Sequence, residues 1–286
     1  MPLPPWLFPA CAFLFGALWG SFLNVVIVRV PREESIVFPA SHCTSCGAKI
    51  KPWDNVPILS YLWLRGRCRA CGARFSLRYP VVELLSALAA WGCALAFGVN
   101  WAALGFYVFL ALCLALAFID LEHWIIPHEL SWPGIAAGLL FSFVNPRASP
   151  LEALLGAALA WAGFTLLSWL GEKIFKKEAL GLGDRWLLAL ICAFLGYVAI
   201  LPVVFLASLQ GSVVGLLLIA LGKSQTGEKP ETAPTPAADA DEEDWVPPKH
   251  AVPFGPFLSL AGAEVLFAGP ALLHWYQGLV QHLVAG

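Results

Sequence analysis

The sequence predicts an all-α membrane protein of about eight transmembrane helices, with a small cytoplasmic four-cysteine lobe after the first of them. Three observations carry that prediction. Of the 286 residues, 59% are hydrophobic and only 13% charged, and the mean hydropathy is +0.74, whereas an ordinary soluble domain is roughly half apolar and a quarter charged. Apolar runs long enough to cross a bilayer, roughly 17–25 residues each, recur along nearly the whole chain. Two Cys-x-x-Cys pairs interrupt the polar segment that follows the first run. A soluble domain of this size is excluded.

Taken in order, the first run (about residues 6–28) has no basic segment before it and is followed by Arg29 and Arg32. It reads as a retained span filling residues 1–29, not as a cleaved signal. Residues 30–79 are polar and rich in Pro and Gly, which makes them a lobe outside the membrane. Runs near 80–98, 102–119, 131–144, 151–170, 186–199 and 201–222 form a membrane core over 80–222, the fourth and sixth spans of the chain (131–144 and 186–199) being short. Residues 224–250 hold five prolines, the acidic cluster Asp239, Asp241, Glu242, Glu243 and Asp244, and almost no large apolar residue. Such a stretch buries no core, so a disordered linker is expected over 223–252. The last run, 254–285, supplies the last span within 253–286. With both termini external, every one of the 17 lysines and arginines except Arg147 falls in an inner segment. The positive-inside rule then puts the lobe and the linker in the cytoplasm.

Four of the eight cysteines, Cys11, Cys93, Cys113 and Cys192, sit singly in apolar runs and read as small core residues. The others form Cys43-x-x-Cys46 and Cys68-x-x-Cys71 with 21 residues between the pairs, one more than the usual window for a four-cysteine zinc site. Tetrahedral zinc takes two thiolates from each of two tight turns, and Gly47 and Gly72 after each pair suit those turns. Disulfides are the alternative, which a reducing cytoplasm disfavours. Four protein ligands leave the metal no open position, so its role is structural. The lobe is basic through Lys49, Lys51, Arg65, Arg67, Arg69, Arg74 and Arg78, a surface suited to anionic lipid headgroups or to an anionic cofactor. No nucleic acid is expected among its partners.

Carboxylates within or at the ends of spans are functional candidates because the membrane makes them costly. Glu83, Asp120, Glu152, Asp184 and Glu264 qualify. Glu152 beside Pro150 reads as a charge at a helix N-terminus, and Glu264 as an interhelical hydrogen bond. Asp120 closes the third span and Asp184 opens the sixth, both at the cytoplasmic face. Two such carboxylates held close share a proton and act as general base and general acid. Gly181 and Gly183 allow a tight approach beside the acid. On residues alone a proton-coupled transporter and a hydrolase both remain open, and His123, His128 and Glu129 offer a further, weaker metal set. Pro253-Phe254-Gly255-Pro256 breaks the start of the last span and is a candidate lining for a substrate groove.

The segments GSFLNVVIVRVP (20–31), SHCTSC (41–46), NVPILSYLWLRGRCRAC through RYPVVELLSA (55–87), IDLEHWIIP (119–127), GLGD (181–184) and VPFGPFLSLAG (252–262), in this order, resemble the bacterial type IV prepilin peptidases. The resemblance implies an intramembrane aspartic peptidase of the GxGD class. Its substrates would be type IV prepilins or type II secretion pseudopilins, cleaved after a glycine that ends a short basic leader. It further implies methylation of the new N-terminal residue by S-adenosylmethionine, a catalytic pair at Asp120 and Asp184, and zinc ligands at Cys43, Cys46, Cys68 and Cys71. Glu122, His128 and Arg185-Trp186 depart from the family pattern, which bears on substrate preference and pH optimum more than on the reaction. A transporter or a non-catalytic scaffold for pilus assembly are the rival readings.

Overall fold

The computed structural model describes residues 4–175, 181, 183–221 and 252–269. The expected linker over 223–252, except its last residue, and the part of the expected last span beyond Gly269 lie outside the described residues. The described chain is helical: α1 (Leu7–Arg29), a one-turn α2 (Leu59–Trp63), α3 (Arg78–Phe97), α4 (Trp101–His123), α5 (His128–Phe141), α6 (Pro150–Phe175), α7 (Asp184–Leu195), α8 (Ile200–Ala220) and α9 (Gly255–Gly269). Its only strand-like pairings, among the described residues, are two isolated bridges in the lobe, His42 with Lys49 and Arg67 with Arg74.

Local chemistry sets the helix ends. The Asn100 side chain accepts from the N–H groups of Ala102 and Ala103 (2.8 and 3.1 Å) and starts α4. Ser149 and Glu152 form a reciprocal capping box at α6: Ser149 N–H and Oγ–H donate to Glu152 Oε2, both 2.8 Å, and the Glu152 N–H returns to Ser149 Oγ at 3.4 Å. This is the N-terminal charge expected of Glu152. Gly196, with φ +79°, ends α7 where only a residue lacking Cβ adopts the turn without strain.

Among the described residues five helices, α1, α3, α4, α6 and α8, are long and apolar enough to cross a membrane, where the sequence predicts eight spans. At the remaining predicted positions α5 and α7 are shorter, and α9 is described from Gly255 to Gly269. The twelve residues of α7 rise about 18 Å, well under the ~30 Å hydrocarbon thickness. Every residue from Leu187 to Phe194 is buried, so α7 is sheathed by other helices and not by lipid. The outer helices have the opposite character, with Leu201 80% and Phe205 67% exposed on α8. Apolar exposure on this scale marks a surface solvated by lipid.

Glycine sets how closely these helices meet. A Cβ on Gly16 would lie 2.6 Å from Ser86 O and one on Gly20 2.7 Å from Glu83 Cα, so the Gly16-x-x-x-Gly20 face lays α1 directly against α3. Ser86 Oγ–H then donates to Gly16 O (2.7 Å) and its oxygen pairs with the Tyr107 hydroxyl of α4 (2.8 Å). Gly134 and Gly138 of α5 seat against Leu190, Ala193 and Phe194 of α7 in the same way. The Gln210 amide of α8 donates to Glu264 Oε2 of α9 at 2.6 Å, the interhelical bond expected of that carboxylate.

Candidate active site and metal centre

Asp120 and Asp184 are both buried, each 6% exposed. Asp120 lies in the last turn of α4, whose chain turns away at Trp124 in the left-handed conformation (φ +59°), with the Trp124 N–H donating to Asp120 O at 3.0 Å. Asp184 is the first residue of α7. Because α4 packs on α7, the two carboxylates fall within direct electrostatic reach of each other.

Three glycines shape this meeting. A Cβ on Gly181 would stand 2.8 Å from Asp184 Oδ2, and one on Gly183 2.9 Å from Ile126 Cβ, in the connection that follows α4. The third comes from the far end of the chain. The Gly255 N–H donates to Asp120 Oδ2 at 2.9 Å, and a Cβ there would sit 2.6 Å from the same oxygen. Gly255 is the first residue of α9, so Asp120 receives one of the donors a helix N-terminus leaves unpaired, at the positive end of its dipole. The Pro253–Pro256 stretch therefore reaches the carboxylate pair itself. The sequence marks it as a helix break and a candidate groove lining, but a bond between residues 135 positions apart has no local signature.

Two of the three departures noted in the sequence, His128 and Arg185-Trp186, gather beside Asp184. His128 packs on Trp132 and Trp186 (ring centroids 5.7 Å apart in each case), Trp186 meets Trp161 at 5.7 Å, and the Arg185 guanidinium lies 5.8 Å from the rings of both Trp161 and Trp186. Glu122, the third departure, forms an ion pair with Arg78 at the start of α3. Among the described residues His123, His128 and Glu129 form no metal-holding cluster.

The four lobe cysteines do: their sulfurs all lie within 4.8 Å of one another, with Cys43 Sγ and Cys71 Sγ 3.9 Å apart. Four thiolates about 2.3 Å from one tetrahedral zinc stand about 3.8 Å apart, so the cluster fits that ion. None of the eight cysteines is in a disulfide. The two Cys-x-x-Cys-Gly-Ala segments fold alike. Cys43 N–H donates to Ala48 O (2.9 Å) and Gly47 N–H to Cys43 O (2.8 Å), and Cys68 with Ala73 and Gly72 repeats both bonds. Gly47 (φ +70°) and Gly72 (φ +76°) have open space around them, so glycine is required there by the backbone turn and not by crowding. Backbone N–H groups, that of Cys46 foremost, hold the Cys43 thiol down at about 6. Against the pull of the Ala73 backbone, the neighbouring Cys46, Cys68 and Cys43 thiols and burial raise Cys71 to about 11. Four sulfurs this close resist joint deprotonation unless a cation joins them, which is the coupling of metal binding to proton release.

The bacterial peptidase A24 N-terminal domain model matches residues 14–97 and the type IV leader peptidase family model residues 107–216. Proteins named prepilin leader peptidase/N-methyltransferase are similar along nearly the whole chain. That of Myxococcus xanthus is 39% identical over 93% of this chain and 92% of its own length. That of Aeromonas hydrophila is 35% identical, and that of Pseudomonas aeruginosa 32%, each over 95% of this chain and 94% of the relative. No solved structure matches. On these grounds the chain belongs to the type IV leader peptidase family.

Proposed function

We propose that this protein removes the leader peptide of type IV prepilins or type II secretion pseudopilins after a glycine, at the cytoplasmic face of the inner membrane, and then methylates the new N-terminus. The observation that carries the reading is the pair of buried aspartates, Asp120 and Asp184, brought together from the end of α4 and the start of α7 in a chain of this family. The substrate's apolar helix enters from lipid, while its basic leader stays on the side of the membrane where this chain's own lysines and arginines gather. One aspartate takes a proton from water. The other, carrying the shared proton, hydrogen-bonds the scissile carbonyl and then protonates the leaving amine. The Gly255 N–H fixes Asp120 Oδ2 during these steps. Gly181 keeps space beside Asp184.

Cys43, Cys46, Cys68 and Cys71 hold a structural zinc ion that folds the lobe and leaves no position for catalysis. S-adenosylmethionine supplies an electrophilic methyl group. The transporter and scaffold readings have no observation of their own in their favour, since a buried aspartate pair accounts for proteolysis without further parts. Mass spectrometry of a co-expressed pilin's N-terminus tests the proposal. A pilin lacking its leader and carrying one methyl group is expected, and an uncleaved pilin beside the intact protein would overturn it.

A further inference from the structure

Between the lobe and the helices α1 and α3 lies a cavity of about 540 Å³, within the roughly 300–1,000 Å³ typical of small-molecule sites. Its lining comes wholly from residues 18–83. Asp120, Asp184 and Gly255 take no part in it. It is therefore a second site, separate from the carboxylate pair.

One side chain in its wall is poised for a ligand. Asn24 is 3% exposed, and its Nδ2 donates to Gly20 O (3.3 Å) and Tyr79 O (3.0 Å). Those two bonds fix the amide's orientation and leave Asn24 Oδ1 buried with no donor. A buried acceptor left unmet is costly, and a ligand donor would recover that cost. Beside it Glu83, also buried, accepts the Ile58 N–H at 2.7 Å. That bond ties the α3 carboxylate to the lobe at a residue held at positive φ, +63°. The lining thus combines buried acceptors with the exposed cations Arg32 and Arg67. It also includes aromatic rings, Tyr61 and Tyr79 among them.

We propose that this cavity binds the methyl donor, an adenine nucleoside sulfonium carrying an amino-acid tail, a proposal that rests on the methyltransferase reading above. Sugar hydroxyls or the tail's ammonium meet Asn24 Oδ1 and Glu83. The tail carboxylate meets Arg32 or Arg67 as a charge-assisted pair, and the purine stacks on tyrosine. The cavity also reaches Leu18, 63% exposed on α1, so a processed substrate's N-terminus arrives along the lipid-facing side. There the free amine's lone pair forms the N–C bond as the C–S bond breaks. The electron pair stays on sulfur in a neutral thioether, and the nitrogen gives up one proton to water.

The test uses the full chain in detergent with S-adenosylmethionine tritiated on its methyl group. Ultraviolet cross-linking followed by peptide mapping is expected to put the label between residues 18 and 83, and label confined to α4–α9 would overturn the site while leaving the methyltransferase reading intact. If the zinc-loaded wild-type chain binds no S-adenosylmethionine at all, that reading fails and the site with it. In equilibrium dialysis Asn24→Leu is expected to weaken binding about tenfold, the loss of one hydrogen bond, and Val25→Trp, which fills the cavity, to abolish it. Zinc content and melting temperature report whether each variant is folded. Unchanged affinity in both folded variants contradicts the proposal.

Discussion

Replacing Gly255 with alanine would put a methyl group 2.6 Å from Asp120 Oδ2 and 3.2 Å from Asp120 Cγ. Ordinary contact begins near about 3.4 Å, so the carboxylate must withdraw by roughly 0.8 Å. The withdrawal gives up the 2.9 Å bond from the Gly255 N–H, and a hydrogen bond to a charged acceptor is worth about 1.5–3 kcal/mol. A misplacement of about 1 Å in a catalytic group costs on the order of 100-fold in rate. Leader removal by Gly255→Ala is therefore expected to fall about 100-fold, with the protein still inserted and zinc-loaded. The assay is the initial rate of prepilin shortening in proteoliposomes. Gly163→Ala serves as the comparison, because a Cβ on that glycine of α6 meets nothing within 4 Å, and its rate should match the wild type. A Gly255→Ala rate within threefold of wild type would refute the claim that this glycine positions Asp120.

Two further outcomes are expected. Cys71→Ser, or chelation of the metal, should release zinc and loosen the lobe, lowering methylation more than cleavage because the carboxylate pair uses no metal. Zinc content, cleavage and methylation measured on one preparation decide this, and full zinc with both activities intact would deny the cysteines a functional role. A reporter fused at residue 235 should signal cytoplasm and one fused after Gly286 periplasm, given that Arg147 alone among 17 basic residues falls outside the inner segments. An external signal at 235 would put both aspartates on the wrong face for a basic leader.

Among the described residues the sequence foretold where the long helices start to within three residues, because crossing length and apolarity are local properties. The run at 102–119 became α4, Trp101–His123, and that at 201–222 became α8, Ile200–Ala220. It misplaced the start of α5 by three residues, since His128 and Glu129 look like loop yet follow Pro127, whose extended backbone begins the helix. The zinc turns were legible from spacing and from the glycine after each pair. The aspartates stood out as costly charges at span ends, but their meeting depends on α4 packing against α7. Three features were not legible. The Gly255 bond joins residues far apart in sequence. The cavity at Asn24 is a shape that no residue type announces. The stacking of His128 and Arg185 with Trp132, Trp161 and Trp186 explains two departures from the family pattern only once three helices are assembled. The Gly16-x-x-x-Gly20 pattern was present in the letters all along. Glycines at this spacing announce close helix packing, but they do not name the partner helix.

The most direct measurement is leader removal by purified Asp120→Asn and Asp184→Asn proteins, read from the mass of the pilin N-terminus. An amide keeps the shape of each side chain and removes its ability to exchange a proton, so both variants should insert, retain zinc and leave the leader uncut. Cleavage near the wild-type rate by either one would take that aspartate out of the catalytic pair.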